Sequence, residues 1–168
     1  EELPETVSIL QVLVEDYGTG AIAEKVKKPL EGIKVACYYG CLMSRPADIM
    51  QFDDAENPMA MDNIMTALGA EVVPFPLKTE CCGAAMGIPR RDITARLTGR
   101  ILERAQAFGA DAVLIGRPFC LAAVGGGSEG VKLTADHLYN QLVRSMVLTG
   151  CPSVREAGRH LVSTAHLA

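Results

Sequence analysis

Three short apolar runs, each followed by a helical pattern, constrain this chain more than any other feature. Ile33 to Tyr39, Glu71 to Leu77 and Asp111 to Ile115 read as strands. Between the first two, Asn57-Pro58 suits a helix start, Met61, Ile64, Met65 and Leu68 form an apolar face, and Gly69 is placed as a stop. Between the second and third, Asp92 to Phe108 predicts a longer helix with Ile93, Leu97, Ile101, Leu102 and Ala105 inward and Gly109 ending it. Strands joined through helices imply right-handed crossovers, so the expected fold is α/β, three-layered, with a mainly parallel sheet. Pro74 and Pro76 predict that the second strand frays or lies at an edge. Around this core, residues 6–28 read as a helix broken near Gly18, Gly125 to Gly130 as a flexible loop, and Thr134 to Leu148 as a C-terminal helix with Leu138, Leu142 and Met146 in a stripe. The whole is expected to be a single domain: a helical lead-in over 1–30, an α/β core over 31–150 and a tail over 151–168.

The cysteines gain meaning from that layout. Six occur in 168 residues: Cys37, Cys41, Cys81, Cys82, Cys120 and Cys151. Cys41, Cys81-Cys82 and Cys120 each fall just beyond the carboxyl end of a different strand. Those ends share one edge of an open α/β sheet, where ligands bind, so thiols distant in sequence should converge. Adjacent Cys81-Cys82 are strained as a disulfide, which favours thiolate ligation or thiol redox chemistry. Cys37, inside a strand, reads as a buried apolar residue, and Cys151 as a free thiol. Four thiolates from Cys41, Cys81, Cys82 and Cys120 would satisfy zinc or a simple iron–sulfur cluster by count. His137, His160 and His166 have no ligand spacing, and Asp53 and Asp54 read as turn residues.

Composition narrows the partners. The net charge is −4, with 21% charged and 49% apolar residues, and no basic run points to nucleic acid. No apolar stretch reaches the length of a membrane span and no signal peptide is expected, so a cytoplasmic setting is the expectation.

The pattern Cys41, Cys81-Cys82-Gly83, Cys120, together with Lys34 to Cys41, Arg45-Pro46, Phe52-Asp53-Asp54, Asn57-Pro58, Leu68-Gly69-Ala70, Lys78 to Gly83 and Val12 to Asp16, resembles the cysteine-rich CCG domain found in the B subunit of heterodisulfide reductases. The likeness runs from about residue 7 to 120, and matches the second of the two such domains in that family's full-length chain. The resemblance implies a non-cubane iron–sulfur centre held by about five thiolates, at which a disulfide is cleaved or formed, in a complex with other electron-transfer subunits. It also implies that Gly83 lets the backbone approach the cluster and lends it an N–H. The family's last motif is Cys-x-x-Cys, whereas this chain reads Arg117-Pro118-Phe119-Cys120. A guanidinium cannot be a ligand. Three outcomes stay open: a smaller cluster or zinc, Cys37 as the replacement ligand, or a metal-free docking module.

Overall fold

The structure, a computed structural model, describes residues 7–114 and 117–156, and their side chains except for 117–124 and Arg155. The chain divides into two compact units, Glu1–Leu114 and Ile115–Ala168.

In the first unit, three strands form an all-parallel sheet in the order β2-β1-β3. They are β1 (Lys34–Ala36), β2 (Glu71–Val72) and β3 (Ala112–Val113). The α/β architecture and the edge position of β2 agree with the sequence. All three strands are shorter than expected, and the backbone bonding shows why. After Ala36 the amides of Tyr39 and Gly40 leave the ladder and both donate to Lys78 O at 2.9 Å. After Val73, whose N–H still reaches Val35 O, Pro74 and Pro76 offer no donor.

Alternation along β1 divides the core. Val35, Cys37 and Tyr39 pack with Met65 and Ala70 on the face of α4 (Ala60–Ala67). Ala36 packs with Val73, Phe75, Ile101 and Ala105 on the face of α5 (Arg91–Ala107), joined by Tyr38, Leu77 and Cys82. Burying the larger of these side chains, Val35, Met65, Val73, Phe75 and Ile101, stabilises by about 1.5–3 kcal/mol each. Ile101 and Ala105 form the inward seam of α5, so Leu102, expected inward, turns away and is 49% exposed. The N-terminal segment is broken as expected: α1 (Ile9–Gln11) runs into a π-helical turn at Val12–Tyr17, Gly18 interrupts, and α2 (Thr19–Glu24) follows.

Helix ends carry the clearest sequence signals. Gly69 stands at φ +85°, its amide on Thr66 O and that of Ala70 on Met65 O. Gly109 at φ +82° repeats this with Gln106 and Ala105. Only a residue without Cβ enters this left-handed turn freely. The start of α4 differs from expectation. It begins at Ala60 rather than at Asn57-Pro58, and its cap comes from Asp53, whose Oδ2 accepts from Met59 N at 2.9 Å and Ala60 N at 2.7 Å. Asp54 makes the preceding turn, Oδ1 accepting from Glu56 N and Asn57 N.

In the second unit, the helical stretch α6 (Arg117–Thr149) is two helices joined across a kink at Gly127, inside the glycine segment that reads as a loop in the sequence. Only Gly127 departs from helical angles, at φ 56° and ψ −145°. Interior glycine costs a helix about 1 kcal/mol relative to alanine without forbidding it. The backbone of Cys120 is therefore helical, and Thr134 to Leu148 lies inside the same stretch. Gly150 at φ +65° ends it.

Replacing Asp53 by Ala should lower stability by about 1–2 kcal/mol, since two amide donors at the start of α4 lose their acceptor. Urea unfolding measures this, with Asp48→Ala, an exposed change, expected to be nearly neutral.

Candidate thiol site

The turn leaving β1 and the loop leaving β2 are fastened to each other. Gly40, at φ +76°, turns the chain into α3 (Cys41–Ser44), so Cys41 opens that short helix. The paired bonds from Tyr39 and Gly40 to Lys78 O bring this turn against the segment that continues into Cys81 and Cys82. Tyr38 OH adds a bond to Glu80 O at 2.7 Å. From the α5 face, Thr98 Oγ1 donates to Cys82 O at 3.2 Å and Thr94 Oγ1 to Gly83 O at 2.7 Å. Gly83 takes a left-handed turn at φ +74°, and a Cβ there would meet Leu97 Cδ1 at 3.0 Å. Its N–H donates to Cys81 Sγ at 3.3 Å. Close approach to α5 is thus what requires glycine at this position.

Cys41 neighbours Cys81 at this edge, with Cys82 close enough to act on Cys41 and on Tyr38. Cys81 is exposed, while Cys41 and Cys82 are half-buried. Burial, then the neighbouring Cys81, pushes the Cys41 thiol above its usual range. Tyr38 lies among the three, its phenol held protonated by burial and then by Cys82. Among the described residues, no group of three or more His, Cys, Asp or Glu is already arranged to hold a metal ion.

Cys37 lies elsewhere. It is fully buried on the α4 side, where burial and then the Asp62 carboxylate push its thiol up to about 12. The Cys120 side chain falls outside the described ones, as does that of Arg117. Cys151 is buried in the second unit, its Sγ donating to Ser153 O at 3.1 Å. All five cysteines with described side chains are free thiols.

Sequence reasoning missed the residues that support the thiols. Lys78 and Asp62 form a buried pair at 2.6 Å, each under a tenth exposed. Removing one partner of such a pair costs about 3–5 kcal/mol, because the other is left charged and buried. The signals were present: Lys78 is a cation directly after the apolar run Val72 to Leu77, Asp62 adjoins the apolar Met61, and Thr94 and Thr98 lie four apart on one helix face.

Two family models match the chain. One, described as a cysteine-rich domain, covers residues 35–125, over half of the chain. The other, described as FMN-dependent dehydrogenase, covers 98–164. Both include the second half of α5, β3 and the first turns of α6. The 8-methylmenaquinol:fumarate reductase membrane anchor subunit of Wolinella succinogenes is 36% identical over 116 residues, 69% of this chain and 40% of that protein. The B subunit of the ferredoxin:CoB-CoM heterodisulfide reductase of Methanosarcina mazei is 30% identical over 114 residues, 67% of this chain and 38% of that protein. An L-lactate oxidase of Lacticaseibacillus rhamnosus is 44% identical over 66 residues, 39% of this chain and 18% of that protein. The chain therefore spans about 40% of the length of the first two relatives. Among the described residues no helix is long and apolar enough to cross a membrane.

Cys37 carries a pH signature. Its folded-state value near 12 lies above the ordinary 9.0. Unfolded chains therefore lose this proton first, and stability is complete below pH 9 and declines as pH rises toward 12, by up to about 1.4 kcal/mol per unit. Urea unfolding at pH 7.5 and 10.5 should show a smaller alkaline loss for Cys37→Ala than for the wild type.

Proposed function

The chain belongs to the cysteine-rich domain family, and from that premise we propose that it is a subunit or domain of a heterodisulfide-reductase-like oxidoreductase. In this reading it passes electrons between an iron–sulfur centre and a thiol/disulfide couple, alongside other subunits of an electron-transfer complex. The observation that carries the reading is the fastening of the Cys41 turn to the Cys81–Cys82 loop at the carboxyl end of the sheet. Relatives named as a reductase subunit and a fumarate reductase anchor support it. The free thiols favour a reducing, cytoplasmic compartment.

The donor chemistry fits such a centre. Thiolates are the soft ligands that sulfide-bridged iron prefers, and the Gly83 N–H already directed at Cys81 Sγ is the kind of bond that stabilises a ligating sulfur. Cys41, Cys81 and Cys82 would hold the centre, the sequence pattern alone offers Cys120 as a fourth ligand, and zinc is the competing metal for such a set. When bound, an iron–sulfur group would supply one-electron steps next to these thiols. Its protein surroundings do the rest: Tyr38 presents a protonated hydroxyl beside Cys82, and the α5 threonines hold the loop carbonyls.

A five-thiolate centre does not fit. Cys37 is committed to the α4 side of the core beside Asp62, and Arg117 occupies the position of a fifth thiolate. Arg117 falls within a stretch that both family models match, and it stands where the cysteine-rich pattern would place the first thiol of its last motif. The dehydrogenase likeness covers less than a fifth of the lactate oxidase, and no flavin chemistry is proposed for it.

Anaerobic iron, acid-labile sulfide and zinc analysis of the purified chain tests this. Iron and sulfide in a ratio of a small cluster are expected, with visible absorbance lost in Cys82→Ser and retained in Cys151→Ala. Zinc without iron would replace the reading with a metal-binding docking module. The iron content of a complete non-cubane centre would overturn the role given to Arg117.

A further inference from the structure

Asp62 sits on α4, away from the thiol edge, yet its two oxygens reach both segments that lead there. Oδ1 accepts from Lys78 Nζ at 2.6 Å, and Lys78 stands three residues before Cys81. Oδ2 accepts from Tyr39 OH at 2.6 Å, and Tyr39 stands two residues before Cys41. The surroundings lock both partners. Lys78 Nζ also donates to Pro58 O at 3.0 Å, and Tyr39 Oη accepts from Met61 N at 2.8 Å and Asp62 N at 3.2 Å. Tyr39 N meets Lys78 O directly. All three side chains belong to buried residues.

We propose that Asp62 is a positioning residue: through Tyr39 and Lys78 it sets the separation of the Cys41 turn from the Cys81–Cys82 loop, and so the geometry in which the thiols meet a shared ligand. This rests on the reading of those cysteines as the site. A buried ion pair is a weak source of stability, since apolar residues of similar volume often replace it without loss. A fully bonded polar network instead fixes one arrangement of the segments it joins. The α5 threonines hold the Cys82–Gly83 carbonyls from the opposite face, so the Cys41 turn depends on Tyr38, on the Tyr39 and Gly40 amides bound to Lys78 O, and on the Asp62 clasp that fixes Tyr39 and Lys78 themselves.

A trivalent arsenical such as phenylarsine oxide needs two thiols at short range, so it reads this separation in the reduced, metal-free full chain. Cys82→Ser is the parent, leaving Cys41 and Cys81 as the pair, and mass mapping identifies the bridge. Asp62→Leu with Lys78→Met removes the clasp without leaving a buried charge, and Tyr39→Phe separately removes only its Tyr39 arm, with the Asp62–Lys78 pair left in place. The double change should weaken the Cys41–Cys81 bridge about tenfold and Tyr39→Phe about threefold, through lost effective concentration. Alkylation of each single thiol by iodoacetamide should change less than about twofold, because it needs no second sulfur. Protection of buried Cys37 from alkylation reports an intact core, and if the double variant exposes it, Tyr39→Phe decides alone. Unchanged bridging with Cys37 protected overturns the proposal, as does a parent that forms no Cys41–Cys81 bridge. Iron content is read separately on the wild type, so loss of the metal reading leaves this result standing.

Discussion

One buried carboxylate organises the region between the sheet and the thiols. Asp62, in the first turn of α4, is held in a buried site by a lysine and a tyrosine hydroxyl. Each partner brings a different segment: β1 through Tyr39, the post-β2 loop through Lys78, and the Pro58–Met59 turn through Lys78 Nζ. Three strands of two or three residues form a small sheet, too short to align their own carboxyl ends by ladder bonds alone. The polar knot takes over where the ladder stops, and the paired amides of Tyr39 and Gly40 on Lys78 O mark the handover.

The pleat of β1 then sorts the chemistry. Val35, Cys37 and Tyr39 face α4, while Ala36 and Tyr38 face α5 with Cys82. Two cysteines four residues apart consequently have different roles. Cys37 is a buried thiol kept protonated by its apolar surroundings. Cys41, past the Gly40 turn, comes to the edge beside Cys81. The glycines at this edge follow the same geometry: Gly40 and Gly83 both hold positive φ where the chain reverses into and out of the site.

The overlap of two family matches at 98–125 lies across the helix and strand that close the sheet. Up to α5 the chain supplies three thiols at one edge. Beyond β3 it continues as a helical unit that the cysteine-rich model matches to residue 125 and the dehydrogenase model to residue 164, and the expected pair of cysteines is reduced to Cys120 there. The ligand count proposed for the site follows from that change of sequence, rather than from any feature of the thiol loops themselves.

The sequence alone determined the α/β layout, the parallel sheet, the edge position of β2 and the helix stops at Gly69 and Gly109. These rest on local rules: periodicity, proline's missing donor, and the left-handed turn that glycine enters freely. The spacing of cysteines past strand ends pointed to Cys41, Cys81, Cys82 and Cys120, and the structure fastens the turn of the first to the loop of the second and third. Tertiary structure decided what depends on partners distant in the chain. Asp53 capping α4 from outside the helix, α6 kinking at Gly127 rather than opening into a longer loop, and Thr94 and Thr98 holding the Cys82–Gly83 carbonyls are examples. So is the clasp of Tyr39 and Lys78 on Asp62, because a buried lysine is legible as a charge in an apolar run but the carboxylate that balances it is chosen by packing.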